Sequence, residues 1–434
     1  MTIMDAGDRT PPQITAHGKF VILAATAIAL LATPLAAPAM PEIARVFADR
    51  AATEPFARAI LKLIGFLPGE PSVIFLVKFI LLSIPALFII VSAPLTGWIS
   101  DNWGRKSLLN LSLLIFAIGG VSGYFAQSFL FLFVGRAILG LSIAGIKTAT
   151  VAMIGDYFKG DERNRFIGWQ GSAMKIGGVV FMLLGGLLAN FNWQMPFLGY
   201  LLAFALVPSG LMALGESLPG RNRTKAQKTA AKDGLAPIPF WPCTYVFVSA
   251  FLASGLFFVT PVQLPFFLKN SFNVVPFQMG AAVALGNTVG ALISLTYHRF
   301  KIRLNYQGIY AVIFLFMAVG YYVLTLASNY TTSLLGMVVA GIGFGLYVPN
   351  HSSWILAIVA PERRGFGVGL VTTAMFLGQF AAPILIQPFV DPTNPGRVWR
   401  VIAGILIVLA VLYAAWSRGS SLAARRAAAA GAAP

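Results

Sequence analysis

The chain has 434 residues, 58% hydrophobic and 10% charged, with a mean hydropathy of +0.80. So few charges cannot cover the surface of a soluble domain, which leaves a polytopic membrane protein. The net charge of +17 does not call for nucleic acid, because Lys and Arg lie in short clusters between apolar runs of helix-spanning length, and one cysteine, Cys243, excludes an internal disulfide or a cysteine metal site.

Residues 1–18 read as a polar cytoplasmic tail. The first apolar run, Phe20–Met40, is longer than the core of a signal peptide and eleven similar runs follow, so it reads as a retained helix. The stretch 42–72 is an extended outer loop in which ARAILKLIGF (57–66) is amphipathic, either a short helix on the membrane face or an insertion. Further helices are expected near 73–99, 107–127, 129–155, 165–189, 195–215, 241–268, 276–297, 306–327, 333–360, 366–389 and 398–417. The polar, basic linker 216–240 separates an N-terminal bundle (19–215) from a C-terminal bundle (241–417), and 418–434 forms a second tail. The fold class is therefore an all-α polytopic membrane protein, with 12 transmembrane helices in two pseudo-symmetric six-helix bundles. With the N-terminus inside, 20 Lys and Arg fall on the cytoplasmic side against 7 outside and 4 within helices, which predicts that both termini are cytoplasmic.

No zinc-protease, Walker or nucleophile-elbow pattern is present, and the glycine runs 341–345 and 365–369 lie in membrane segments without a preceding strand. In GWISDNWGRKSLL (97–109), Gly97 is expected to let two helices approach, Asp101 ends the incoming helix and Gly104 permits a tight turn. Arg105 and Lys106 are expected to hold that turn on one membrane side. The spacing resembles the G-x-x-x-D-x-x-G-R-K signature between helices two and three of the major facilitator superfamily of secondary transporters. A second regularity is internal. Gly168, Gly177, Phe181, Met182, Gly185 and Gly186 in the fifth helix share a register with Gly369, Gly378, Ala382 and Pro383 in the eleventh, at an offset of 201 residues that also pairs Arg163 with Arg364 and Gly140 with Gly341. The fifth-helix glycines resemble the superfamily's antiporter motif, although Phe181-Met182 stands where Gly-Pro is expected.

Lys78, Arg136, Lys147 and Lys175 lie within helices, where each cation costs roughly 2.5–3.5 kcal/mol at the bilayer centre. Lys78 is near enough to the outer end of its helix to snorkel. Arg136, in RAILG, resembles the R-x-x-x-G motif of the superfamily's fourth helix, which implies a proton route or a buried polar network. Lys147 follows after eleven residues, roughly 16 Å along the same face, so one face of this helix is expected to be cationic. Lys175 should reach a similar depth. All fourteen acidic residues fall outside the middle of the helices, so an anionic solute would compensate these charges. His351 and Asn350, in YVPNHSSW of the tenth helix, are candidates for the proton carrier and a substrate hydrogen bond. The phenylalanines at 257, 258, 266 and 267, with Tyr347 and Trp354, read first as lipid or packing surface.

The resemblance runs from Phe20 to Trp416 and implies a multi-pass protein of the bacterial inner membrane, not an enzyme. It implies alternating access at a central cavity, most readily proton-coupled efflux of a small organic, amphipathic or anionic molecule. An importer or anion exchanger of the same fold, and a non-transporting sensor or assembly protein, are the alternatives. The expected partners are the lipid bilayer and a small organic solute, with no nucleic acid, no metal, a monomeric state and no cofactor beyond a proton gradient. Asp101 would lock the cytoplasmic side against the start of the eleventh helix.

Overall fold

The computed structural model describes residues 14–29, 33–63, 73–158, 160–215, 239–359, 364–391 and 393–431. The linker 216–238, the loop 64–72, and the side chains of Asp101, Arg163, Gly168 and Arg364 lie outside the described residues.

The chain forms a twelve-helix, two-bundle membrane fold. Among the described residues, eleven helices are long and apolar enough to cross a bilayer, joined by the shorter apolar helix Ala16–Ile28 at the position of the first span. In lipid every backbone N–H and C=O must be satisfied within its own segment, so length and apolarity decide the structure almost alone. The lipid-facing surface shows it: in the last span Val408, Val411 and Leu412 are exposed on one side, while Trp399, Ile402 and Leu406 are buried on the other.

The spans are, in order, Ala16–Ile28, Val73–Trp103, Arg105–Val121, Phe129–Tyr157, Gly160–Ala189 and Leu202–Ala213, then Phe240–Phe272, Pro276–Leu295, Tyr306–Thr325, Tyr330–Ile358, Arg364–Ile386 and Arg397–Gly431. Three differ from expectation. The single helix expected over Phe20–Met40 is not continuous: Ala16–Ile28 ends at its C-cap Ala29, and residues 33–36 form a turn that leads into a 3-10 turn Ala37–Ala39 and a short helix Met40–Val46. Pro34, Pro38 and Pro41 supply no N–H, so an uninterrupted ladder cannot form there. The second span carries a π-helical turn at Phe79–Ser83, separated from Pro85 by Ile84 alone. Pro85 cannot donate to the carbonyl one turn back, and a wider register absorbs the mismatch. The twelfth span runs on to Gly431, so the backbone of the expected tail is largely helical, as its alanine and arginine content favours.

The 201-residue register reappears as geometry. An added Cβ at Gly140, in the fourth span, would meet the Pro85 carbonyl of the second at 2.5 Å; at Gly341, in the tenth, it would meet the Gly286 carbonyl of the eighth at 2.6 Å. Corresponding members of the two pairs, Gly140 and Gly341, and Pro85 and Gly286, are each 201 residues apart. Gly119 likewise faces the Gly135 carbonyl and the Leu139 N–H between spans three and four, and Gly320 faces Gly336 and Ala340 between spans nine and ten. Gly177 packs on Ala27 of the first span and Gly378 on Gly255 of the seventh. Small residues at these crossings let backbones approach where no hydrophobic drive assists.

The described contacts between the two halves concentrate at the end of the bundle remote from the linker. There the Phe277 N–H donates to Asn190 Oδ1 (3.1 Å), Ser83 Oγ donates to the Phe380 carbonyl (2.9 Å), and Phe79 packs on Phe380. Cβ atoms at Gly186 and Gly280 would strike the facing backbone at 2.9 and 2.7 Å. Toward the linker the seam opens: Cβ atoms at Gly97, Gly171, Gly178 and Gly369 would meet nothing within 4 Å.

Candidate functional site

Midway along the seam, a cavity of about 50 Å³ is bounded by spans one, two, four and eleven through Ala29, Thr33, Pro85, Ile143, Phe376 and Gln379. Its wall is apolar except for Thr33 and the Gln379 amide, which reaches Ser254 Oγ at 3.5 Å. One turn beyond Ile143, Lys147 crosses from the first half to the second and sets its ammonium 4.2 Å above the Phe376 ring. Among the described residues it has no carboxylate partner, and the ring quadrupole is a weaker substitute. An apolar cavity with one amide and a cation at its margin suits a solute that is largely apolar and carries a negative or electron-rich group.

Lys175 stands on the same seam. Met182 and Gly186 of the fifth span face Gly280 and Pro276 of the eighth, and Lys175, seven residues before Met182, returns to that face just beyond the point where the halves diverge at Gly178. It is half-buried and has no ion pair among the described residues.

The structure does not bring the other candidates to this cavity. Arg136 is fully buried within the first half: its guanidinium donates to Tyr200 Oη and to the Gly120 carbonyl, both at 3.0 Å, and lies against the Phe197 ring. Arg136 and Lys147 therefore do not form one cationic face. Eleven residues bring a helix back only to within about 20°, and two long side chains on that stripe reach opposite ways. Asn350 is buried in the second half, accepting from Tyr297 Oη (3.1 Å) and donating to the Tyr306 carbonyl (3.0 Å), so its amide is engaged away from the cavity. His351 is buried against Tyr347, and its Nδ1 has no hydrogen-bond partner among the described residues. The aromatic set is packing rather than lipid surface: Phe257 lies against Phe344 and Tyr347, and Trp354 stacks on Tyr306.

In the turn 97–109, Gly104 has φ 104° and ψ 155° at the start of the third span, a conformation suited to glycine. Arg105 is 6% exposed, so it lies inside the protein rather than on a membrane-facing loop. Its Nη1 donates to the Ser100 carbonyl (2.6 Å) and its Nε pairs with Asp156 (3.2 Å), tying the turn to the end of the fourth span. Gly97, expected to let helices approach, borders open space in this state. Lys106, also in this turn, is partly buried, and the backbone of Asp101 lies in the last turn of the incoming helix, which ends two residues later at Trp103. Gly185 backs onto the Leu35 carbonyl, and Pro383 is buried inside the eleventh span.

Lys78 does not snorkel. It is 1% exposed and donates to Gln263 Oε1 of the seventh span at 2.5 Å, with its ammonium 4.4 Å from the Phe266 ring. Sequence reasoning also missed Phe376 and Gln379; the available signal was the polar residue in LGQF, within an otherwise apolar span.

Two duplicated bundles meeting around a central cavity, closed at one end and open at the other, define a membrane transporter. The chain belongs to the Major Facilitator Superfamily, whose family model matches residues 22–306 and 246–432. It is similar to Multidrug resistance protein 1 of Bacillus subtilis (strain 168), 27% identical over 308 residues that cover 68% of this chain and 76% of that one. To Quinolone resistance protein NorA of Staphylococcus aureus it is 24% identical over 336 residues, 75% of this chain and 84% of that one. Its fold is also that of the human organic anion transporter MFSD10 (TETRAN), with a TM-score of 0.67 at 20% identity over 93% of this chain and 100% of that one.

Proposed function

We propose that the protein exports a small amphipathic or anionic organic molecule by alternating access, driven by proton antiport. The observation that carries this reading is Lys147, a cation at the margin of an apolar cavity between the halves, set over the Phe376 ring that lines it and without a carboxylate partner among the described residues. A bound anion supplies the missing charge; the space of about 50 Å³ takes only part of an organic solute, and the rest lies along the open seam toward Lys175. Lys175, lower on the open seam, draws anions toward the cavity from the linker end. Export, rather than import, is supported by the resistance proteins among the relatives. The basic clusters support placing the open end on the cytoplasmic side.

A second reading, anion exchange, is favoured by one feature: the fourteen carboxylates all lie outside the middle of the spans, so no acidic proton carrier crosses the core, and an exchanger needs none. Proteoliposomes with an imposed pH gradient separate the two. Organic anions and lipophilic cations are screened side by side with interior pH recorded, and Lys147→Met is compared with Lys175→Met. Proton-coupled anion movement that weakens about tenfold in Lys147→Met supports antiport through this cavity. Anion movement that requires a counter-anion and ignores the pH gradient supports exchange. Unchanged anion affinity in both variants, or movement of cations alone, overturns the anionic site.

A further inference from the structure

At the closed end of the seam lies a second cavity, of about 60 Å³, between Lys78 of the second span, Gln263, Phe266 and Asn270 of the seventh, and the segment that carries Asp391. On the second span it lies one helical turn beyond the central cavity, whose lining begins at Leu82, and it takes no part in the transport steps proposed for that cavity. Lys78 is 1% exposed and Gln263 4%, and they come from opposite halves. The 2.5 Å bond between them settles which way the Gln263 amide points, because an ammonium can only donate and must face the amide oxygen. The amide nitrogen is thereby directed elsewhere, and it is buried without a hydrogen-bond partner among the described residues. An ammonium has three N–H bonds, and Gln263 takes one; its only other described contact is the Phe266 ring.

The cavity is thus bordered by unspent donors and a positive charge, and the remaining side-chain acceptors on its wall are the Asn270 amide oxygen and the Asp391 carboxylate. Asp391 borders it but is committed elsewhere: Oδ1 accepts from the Thr393 N–H (2.9 Å) and hydroxyl (2.6 Å), and Oδ2 pairs with Arg397 at 3.3 Å. We infer that this cavity binds a small monovalent anion, a halide or the carboxylate of a small acid, held between Lys78 and the Gln263 amide nitrogen. About 10–15 Å³ on this measure admits one water, so the space takes a chloride with a water or two, or a carboxylate, but not a drug-sized solute. Because the two donors belong to opposite halves, the anion binds the closed end and not the parted one, and its occupancy holds that end shut.

The test is thermal unfolding of the purified full-length protein in detergent, at constant ionic strength, with gluconate replaced stepwise by chloride or, in parallel, by acetate. The expected result is a saturating rise in Tm of about 1–3 °C that is lost in both Lys78→Met and Gln263→Leu and kept in Lys147→Met. A rise with chloride alone identifies a halide site, and a rise with acetate as well identifies a carboxylate site. Should Lys78→Met fail to fold, Gln263→Leu decides. No rise in the unmodified protein, an equal rise in Gln263→Leu, or a rise abolished by Lys147→Met would each overturn the assignment.

Discussion

Replacing Gly186 by alanine adds one methyl group where the fifth span meets the eighth. In the closed arrangement that methyl carbon lies 2.9 Å from both Phe277 Cα and the Pro276 carbonyl oxygen. Both are backbone atoms at the start of a helix, so neither can swing aside as a flexible side chain would. Overpacking of this size costs about 1–3 kcal/mol, and because it acts only while the halves touch, it weights the parted state by a factor of about 5–150. Ser83, fully buried between the halves and bonded to the Phe380 carbonyl, provides the reporter. In a Cys243→Ser background, Ser83→Cys is protected from a maleimide while this end is closed and reacts when it opens, so its alkylation rate follows the open population. Adding Gly186→Ala should raise that rate at least about fivefold in purified protein. Gly178→Ala, eight residues earlier, places its methyl where nothing lies within 4 Å and should leave the rate alone. Equal rates in the Gly186→Ala and parent proteins, both folded, would refute the assignment of this contact to the closing of the seam.

Gly104→Ala forces a side chain into φ 104°, ψ 155°, and should lower unfolding free energy by about 1–3 kcal/mol, read as a lower Tm; an unchanged Tm would show that the turn relaxes without strain. Arg136→Met withdraws donors from the buried Tyr200 hydroxyl and Gly120 carbonyl and should cost about 1–3 kcal/mol, with Arg136→Lys recovering part of it; equal thermal stability in all three would remove the polar network from the account. Asp391 gives a pH dependence. Hydrogen bonds from the Thr393 hydroxyl and N–H, with Arg397 adding, hold its carboxyl below the ordinary range, so its stabilisation is complete above the unfolded value of about 3.9 and is lost as pH falls through the folded value. Asp391→Asn should therefore flatten the acid limb of Tm against pH, and an unaltered limb would assign that limb to other carboxylates.

What could be read along the chain was whatever a span settles by itself. Apolar length located the helices because a bilayer leaves the backbone no external partner, and the 201-residue register located the close crossings because only glycine admits them. The first span escaped because apolarity marks where a segment resides, while Pro34, Pro38 and Pro41 decide whether its ladder continues. The charged side chains were harder still. Lys78 looked free to reach water, yet its partner is Gln263, 185 positions away in the other half. Arg136 and Lys147 share a helical stripe, but Tyr200 draws one inward and Phe376 draws the other across the seam. Helical spacing gives the direction of a Cβ and not the end of a long side chain.

The crossing at Gly119 and Gly135 is built a second time at Gly320 and Gly336, with the same backbone groups in opposition. One molecule therefore carries its own replicate experiment. A methyl group added at Gly119 and another at Gly320 load the same joint in two bundles, so a difference between their effects on transport measures how far the halves have come to divide the labour.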